Sequence, residues 1–111
     1  MDREIIKGHL PVIILGVLAE RPRHGYALCE TLSRHAHSKW EIGEGTVYPL
    51  LHRLERQGHI RSTWETGSTG RKRKVYRVTR SGKNLVAKHR ADWKSLSHLF
   101  ETFLGGKWTR A

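Results

Sequence analysis

The chain has 111 residues, enough for one small domain, and its 21 Lys and Arg against 10 Asp and Glu give a formal net charge of +11 and a pI of about 10.6. An excess this large in so short a chain favours a polyanionic partner, nucleic acid first and an anionic membrane surface second. The single cysteine, Cys29, excludes an intrachain disulfide and fits a reducing compartment, while the longest apolar run, Leu10 to Ala19, is too short to cross a bilayer and the charged N-terminus shows no signal-peptide pattern, so the cytoplasm is the expected location.

The segment from Ile5 to Glu20 is apolar and helical in length. Pro11 lacks an N–H and is best tolerated in a first turn, which places the start of this helix near His9. Arg21-Pro22-Arg23-His24-Gly25 reads as a turn. From Tyr26 to about His37, Ala27, Leu28, Thr31 and Leu32 fall on one helical face, with Cys29 as a small core residue. Ser38 to Gly45 is a connector whose Trp40 and Ile42 are expected to plug the gap between helices. A third helix runs from about Thr46, its expected N-cap, to Gln57; Pro49 then falls in the first turn and Gly58 is the stop. Val47, Leu50, Leu51 and Leu54 follow the i, i+3, i+4, i+7 pattern and face the core.

His59 to Thr66 and Lys72 to Thr79 read as two strands, joined by a turn at Gly67 and Gly70 and tipped by the run Arg71-Lys72-Arg73-Lys74. Ile60 and Trp64 alternate on the first strand and Tyr76 and Val78 on the second, with the aromatics expected to look inward. Ser81 is the expected cap of a last helix from about Gly82 to Leu104. On it Val86, His89, Trp93, Leu96, Phe100 and Phe103 approach a heptad seam. Because the seam extends past the compact part of the chain it needs a partner, and a second copy is the economical one: a homodimer.

A helix followed at once by a two-stranded ribbon with a cationic tip suits a DNA groove and its flanking phosphates. The expected fold is mainly α with a small β-hairpin: a winged helix-turn-helix over residues 1–80, followed by a C-terminal dimerisation helix and tail over 81–111. With the core stripe of the third helix assigned, its other face presents Thr46, Tyr48, Pro49, His52, Arg53 and Arg56. A helix start favours an anion, and Arg suits the two acceptors on guanine. The wing cations would supply affinity and salt dependence rather than discrimination between sequences. Two such modules related by a two-fold axis would read a pseudo-palindromic operator of double-stranded DNA.

Other function classes fare worse. No P-loop, G-x-S-x-G or H-E-x-x-H is present, so no enzyme is expected. The eight histidines raise a metal-responsive reading. His35 and His37, however, lie two residues apart and off a common helix face, and His89 and His98 are too far apart to share an ion, so no metal site and no cofactor are expected. A non-specific nucleic-acid-binding protein is the remaining alternative. An RNA module would show exposed aromatics on a sheet, and no basic amphipathic helix outside the fold suggests a membrane.

Several blocks resemble the PadR family of bacterial transcription regulators. They are Lys7-Gly8-His9-Leu10, His24-Gly25-Tyr26-Ala27-Leu28, Gly45-Thr46-Val47-Tyr48-Pro49-Leu50-Leu51-His52-Arg53-Leu54-Glu55, Gly58-His59-Ile60, Gly70-Arg71-Lys72-Arg73-Lys74-Val75-Tyr76 and Thr79-Arg80-Ser81-Gly82. They span nearly the whole chain in the family's order, and the short length resembles the subfamily with a single C-terminal helix. The resemblance implies a homodimeric winged helix protein, usually a repressor of an adjacent promoter and hence nucleoid-associated, dimerised through its last helix. It implies DNA contacts at Tyr26, Thr46, Tyr48 and the wing residues Gly70, Arg71, Lys72, Arg73 and Lys74. Some short members bind flat aromatic drugs between tryptophans of the last helix, which makes Trp93 a candidate contact for a small aromatic effector. Val47 and Val75 stand where the family often has Leu and Tyr, apolar exchanges that leave the expected fold unchanged.

Overall fold

Leu10, Ile14, Leu15 and Leu18 recur at helical spacing and are buried. They make one wall of the core and fix helix α1 (Arg3–Glu20) in a computed structural model that describes residues 3–36 and 42–105. The expectations placed on His37 and Trp40 lie outside the described residues. Helix α1 begins six residues before the expected start, so Pro11 lies inside it rather than in its first turn. An interior proline removes one backbone bond and costs about 3 kcal/mol in an unsupported helix. Here the turns before it are held by tertiary packing, since Ile6 and His9 lie against the last helix and the His9 ring meets Trp93 edge-on at 6.4 Å.

The expected turn at residues 21–25 contains a two-residue strand, β1 (Arg23–His24), paired antiparallel with a later strand. Helix α2 (Gly25–His35) follows without a linker, capped by His24, whose Nδ1 accepts from the Ala27 N–H at 3.4 Å. Leu28, Cys29 and Leu32 are its buried face, and Ile42 in the connector is buried as expected. Helix α3 (Glu44–Arg56) starts two residues early: Gly43 is the N-cap, and its carbonyl accepts from the N–H groups of Thr46 and Val47 at 3.1 and 3.0 Å. Thr46 is therefore within the first turn instead of capping it, and Pro49 lies in the interior. The carbonyl that Pro49 leaves without its helical donor belongs to exposed Gly45, where water can serve it. Val47, Leu51 and Leu54 are buried and Leu50 half-buried, as the stripe requires.

Strands β2 (Ile60–Thr66) and β3 (Lys72–Val78) form the hairpin, and with β1 they make an antiparallel sheet in the order β1-β3-β2. The register pairs Ile60 with Val78, Ser62 with Tyr76, Trp64 with Lys74 and Thr66 with Lys72. Side chains alternate across a strand, so these eight share the sheet face that meets the helices. Ile60 and Tyr76 are buried there, and Glu55 of α3 accepts from the Ser62 N–H at 3.1 Å and its hydroxyl at 2.7 Å. Trp64 corrects the expectation of inward aromatics: it is on the predicted face yet 66% exposed. It sits two residues nearer the hairpin tip than Ser62, past the point where α3 covers the sheet.

Helix α4 (Arg80–Phe103) is capped by Thr79, not Ser81. Thr79 Oγ1 accepts from the Gly82 N–H at 3.2 Å and donates to the Gly58 carbonyl at 2.7 Å, while the Thr79 N–H donates to the His59 carbonyl at 3.1 Å. The Ser81 hydroxyl instead meets His59 Nδ1 at 2.6 Å. Val86 and Leu85 lie against the core cluster, whereas Leu99, Phe103 and Leu104 project into solvent.

Candidate nucleic-acid interface

Thr46, Pro49, His52, Arg53 and Arg56 are all exposed on α3, on the side opposite its core stripe. The structure thus brings together the helix residues named from the sequence, with one exception. Tyr48 is half-buried and belongs to the junction of α2 and α3: its ring and hydroxyl lie where a side chain on Gly25 would stand. Burial pushes the Tyr48 phenol above its ordinary value, helped by the nearby Cys29 and Glu44. Only a glycine at 25 allows this close approach. Tyr26, the next residue along α2, is 62% exposed.

The hairpin divides the four consecutive cations. Arg71 is exposed at the turn, where the Gly67 N–H donates to the Arg71 carbonyl at 2.8 Å and Gly70 takes a φ of 82°, a conformation that favours glycine. Lys72 and Lys74 share the helix-facing side of the sheet with Tyr76. Arg73 points the other way, its guanidinium packed on Gly67 with Nη1 3.2 Å from His24 Nε2. Arg73 therefore braces the wing against β1. Arg77, on the same outer face, is paired with Glu65 at 2.9 Å.

Two residues that sequence reasoning passed over do positional work. The Arg23 side chain is only 8% exposed; it donates from Nη1 to Thr31 Oγ1 at 2.7 Å and from Nη2 to Glu20 Oε1 at 3.0 Å, tying β1 to α1 and α2, and its Nε is buried without a partner among the described residues. His24 caps α2 with one ring nitrogen and meets Arg73 with the other. Both neighbours are donors, so the neutral ring, which has a single acceptor nitrogen, can serve only one of them at a time. Neither residue carries a periodic signal, because each acts across elements distant in sequence.

The candidate dimer seam has two parts. Its first half, Val86, His89, Trp93 and Leu96, lines a groove of about 480 Å³ closed on the other side by Ile6, His9, Val12 and Ile13 of α1. This part of the seam is shared with the chain's own first helix, which the heptad reading had not anticipated. Phe100 and Phe103 continue along α4 and are 39% and 76% exposed. Nearby, the exposed Lys88 and Asp92 pair at 2.7 Å, and that hydrogen bond and charge lower the Asp92 pKa below the ordinary carboxylate value.

Among the described residues, no group of three or more His, Cys, Asp and Glu side chains could hold a metal ion, and no helix is long and apolar enough to cross a membrane. Burial pushes the Cys29 thiol above its ordinary value, with the nearby Glu44 adding to the shift, as suits a core residue.

A helix-turn-helix followed by a cationic hairpin, with the second helix of the pair presenting polar and basic side chains outward, defines a winged helix DNA-binding protein. Residues 14–88 match the transcriptional regulator PadR-like family. A transcriptional regulator of Mycobacterium tuberculosis is 35% identical over 105 residues, covering 95% of this chain and 92% of that protein. An uncharacterized protein of Lysinibacillus sphaericus is 33% identical over 103 residues, covering 93% and 94%. Among solved structures, a PadR-like transcriptional regulator from Bacillus cereus superposes with a TM-score of 0.82 at 29% identity, covering 92% of this chain and 97% of that one. A PadR family regulator from Eggerthella lenta gives 0.76 at 35% identity, covering 92% and 87%. The chain belongs to the PadR-like family of transcriptional regulators, a family of DNA-binding regulators rather than enzymes.

Proposed function

We propose that this chain is a homodimeric, sequence-specific repressor whose hold on its operator is relieved by a small aromatic effector. Residues 1–80 form the DNA-binding unit and 81–111 the dimerisation helix and tail. The observation that carries the reading is the relation of α3 to the wing. The Glu55–Ser62 bonds seat α3 on the sheet face that also carries Lys72 and Lys74, so the exposed helix residues and the wing cations serve one duplex. Thr46, Pro49, His52 and Arg53 address the major groove; Tyr26, Arg71, Lys72 and Lys74 address backbone. Tyr48, Gly70 and Arg73 belong to the same surface by shaping it: Tyr48 sets α3 against α2, Gly70 turns the wing, and Arg73 braces it.

A dimer through Val86, His89, Trp93, Leu96, Phe100 and Phe103 would cover the apolar side chains that α4 exposes and set two recognition helices about 34–36 Å apart, one turn of DNA. The groove beside Trp93 is lined mainly by apolar side chains and lies between α1 and the proposed dimer helix, where an occupant would alter the spacing of the two DNA-binding units.

Gel retardation of a duplex from upstream of this gene, in a series of rising salt, tests the reading. The expected outcome is retardation by a dimer, falling steeply with salt because each neutralised phosphate releases a counterion. Equal retardation of a random duplex of the same length would reject sequence-specific repression.

A further inference from the structure

We infer that Trp64 and Lys74 form a composite contact for the DNA backbone on the wing, separate from the recognition helix. The inference rests on the DNA-binding reading above and adds to it a residue that the sequence pattern assigns to the core. Trp64 is 66% exposed in the middle of a regular strand. Its cross-strand partner is Lys74, whose Nζ lies 5.6 Å from the centre of the indole ring. The cation over the ring face restrains a long flexible side chain and holds its charge beside the aromatic surface.

The surroundings select the occupant. Trp64, Thr66, Lys72 and Lys74 share one face of the hairpin, the face on which Ser62 is bonded to α3. No carboxylate lies among them: Glu65 points to the opposite face and is paired with Arg77, and Glu55 is engaged by Ser62. A second copy of this basic chain would bring like charge to the patch, whereas a polyanion complements it. On the DNA-binding reading above, a duplex seated on α3 would extend toward the wing, whose face carrying Trp64 and Lys74 is the one bonded to α3 through Ser62. An indole offers a flat apolar surface to deoxyribose and an N–H to a phosphate oxygen, and the Lys74 ammonium neutralises the charge beside it. A backbone contact of this kind holds the duplex without reading its sequence.

The test uses the full chain and two duplexes of equal length, the gene's own upstream sequence and a scrambled one, with affinity followed by fluorescence anisotropy across a salt series. W64A is expected to bind both duplexes about tenfold more weakly, as for truncation of an anchoring aromatic, with the slope of log affinity against log salt unchanged because no charge is removed. K74M is expected to lower that slope by about one. W64F keeps a ring and loses the N–H, so its loss falls between wild type and W64A; it also decides the matter should W64A fail to fold. Thermal midpoints of W64F and K74M should match wild type, since neither side chain is in the core. Wild-type affinity of W64A or W64F for both duplexes at every salt concentration overturns the inference alone. Failure of the wild-type chain to bind either duplex overturns the DNA-binding reading and this contact with it.

Discussion

Gly25 and Tyr48 meet where α2 crosses α3, and their contact sets the angle at which the recognition helix is presented. A methyl group at residue 25 would occupy the space of the Tyr48 ring and hydroxyl, and a packed interior resists even small added volumes. Gly25→Ala is expected to cost about 1–3 kcal/mol of stability, read as a lower urea midpoint, and to weaken DNA binding as α3 shifts. Combining it with Tyr48→Ala should return part of that loss; a double mutant that is simply the sum of the singles would show that the two residues are not in conflict. In the sequence these residues sit in two separate blocks, and nothing in either block states that they touch. Trp64 teaches the same point in reverse: alternation assigned its face correctly, but exposure depended on where α3 stops covering the sheet.

Among the elements, α4 is the one whose beginning is tied to another helix's end. Thr79 caps α4 through Gly82 and holds the Gly58 carbonyl just beyond α3, so a change in the last helix has a short mechanical route to the recognition helix. Thr79→Ala removes both bonds and is expected to cost about 1 kcal/mol, the usual loss for an N-cap. Hydrogen exchange should quicken at the amides of Gly82 and Lys83; unchanged exchange there would show that Thr79 does not hold the helix start. Helix interiors were legible from apolar spacing, but their ends were not. Pro11 and Pro49 suggested late starts because proline is poorly placed inside an isolated helix, and the folded chain tolerates both, one where α4 packs across the gap and one where the freed carbonyl meets water. Strand β1 had no local signal at all, since two residues carry no period and its partner lies about fifty positions away.

The whole molecule is longer than its residue count requires. Its radius of gyration is 16.0 Å with extents of 54 × 30 × 22 Å, against about 13 Å for a compact domain of this length, because the far half of α4 extends past the body. Leu96, Leu99, Phe100, Phe103 and Leu104 are exposed along that half, and a row of large apolar side chains in water is a surface awaiting cover. Under the proposed dimer, Phe100→Lys places a charge in the interface. Sedimentation is expected to show a monomer, with operator affinity falling well beyond the loss of a single contact because two half-sites are no longer held together. A Phe100→Lys protein that remains a dimer would remove this part of α4 from the interface.

The sequence by itself determined the helix–helix–hairpin–helix order, the apolar stripes that build the core, the basic charge and the blocks that carry the family, because these depend on composition and on spacing within one element. Only the tertiary structure decided which side chains of those elements are free to act. It turned Arg73 back to brace the wing, left Lys72 and Lys74 on the helix-facing side of the sheet, seated Tyr48 on Gly25, exposed Trp64, and closed the first half of the proposed dimer seam with α1. Each of these outcomes is set by where one element ends against another, and local periodicity carries no record of that distance.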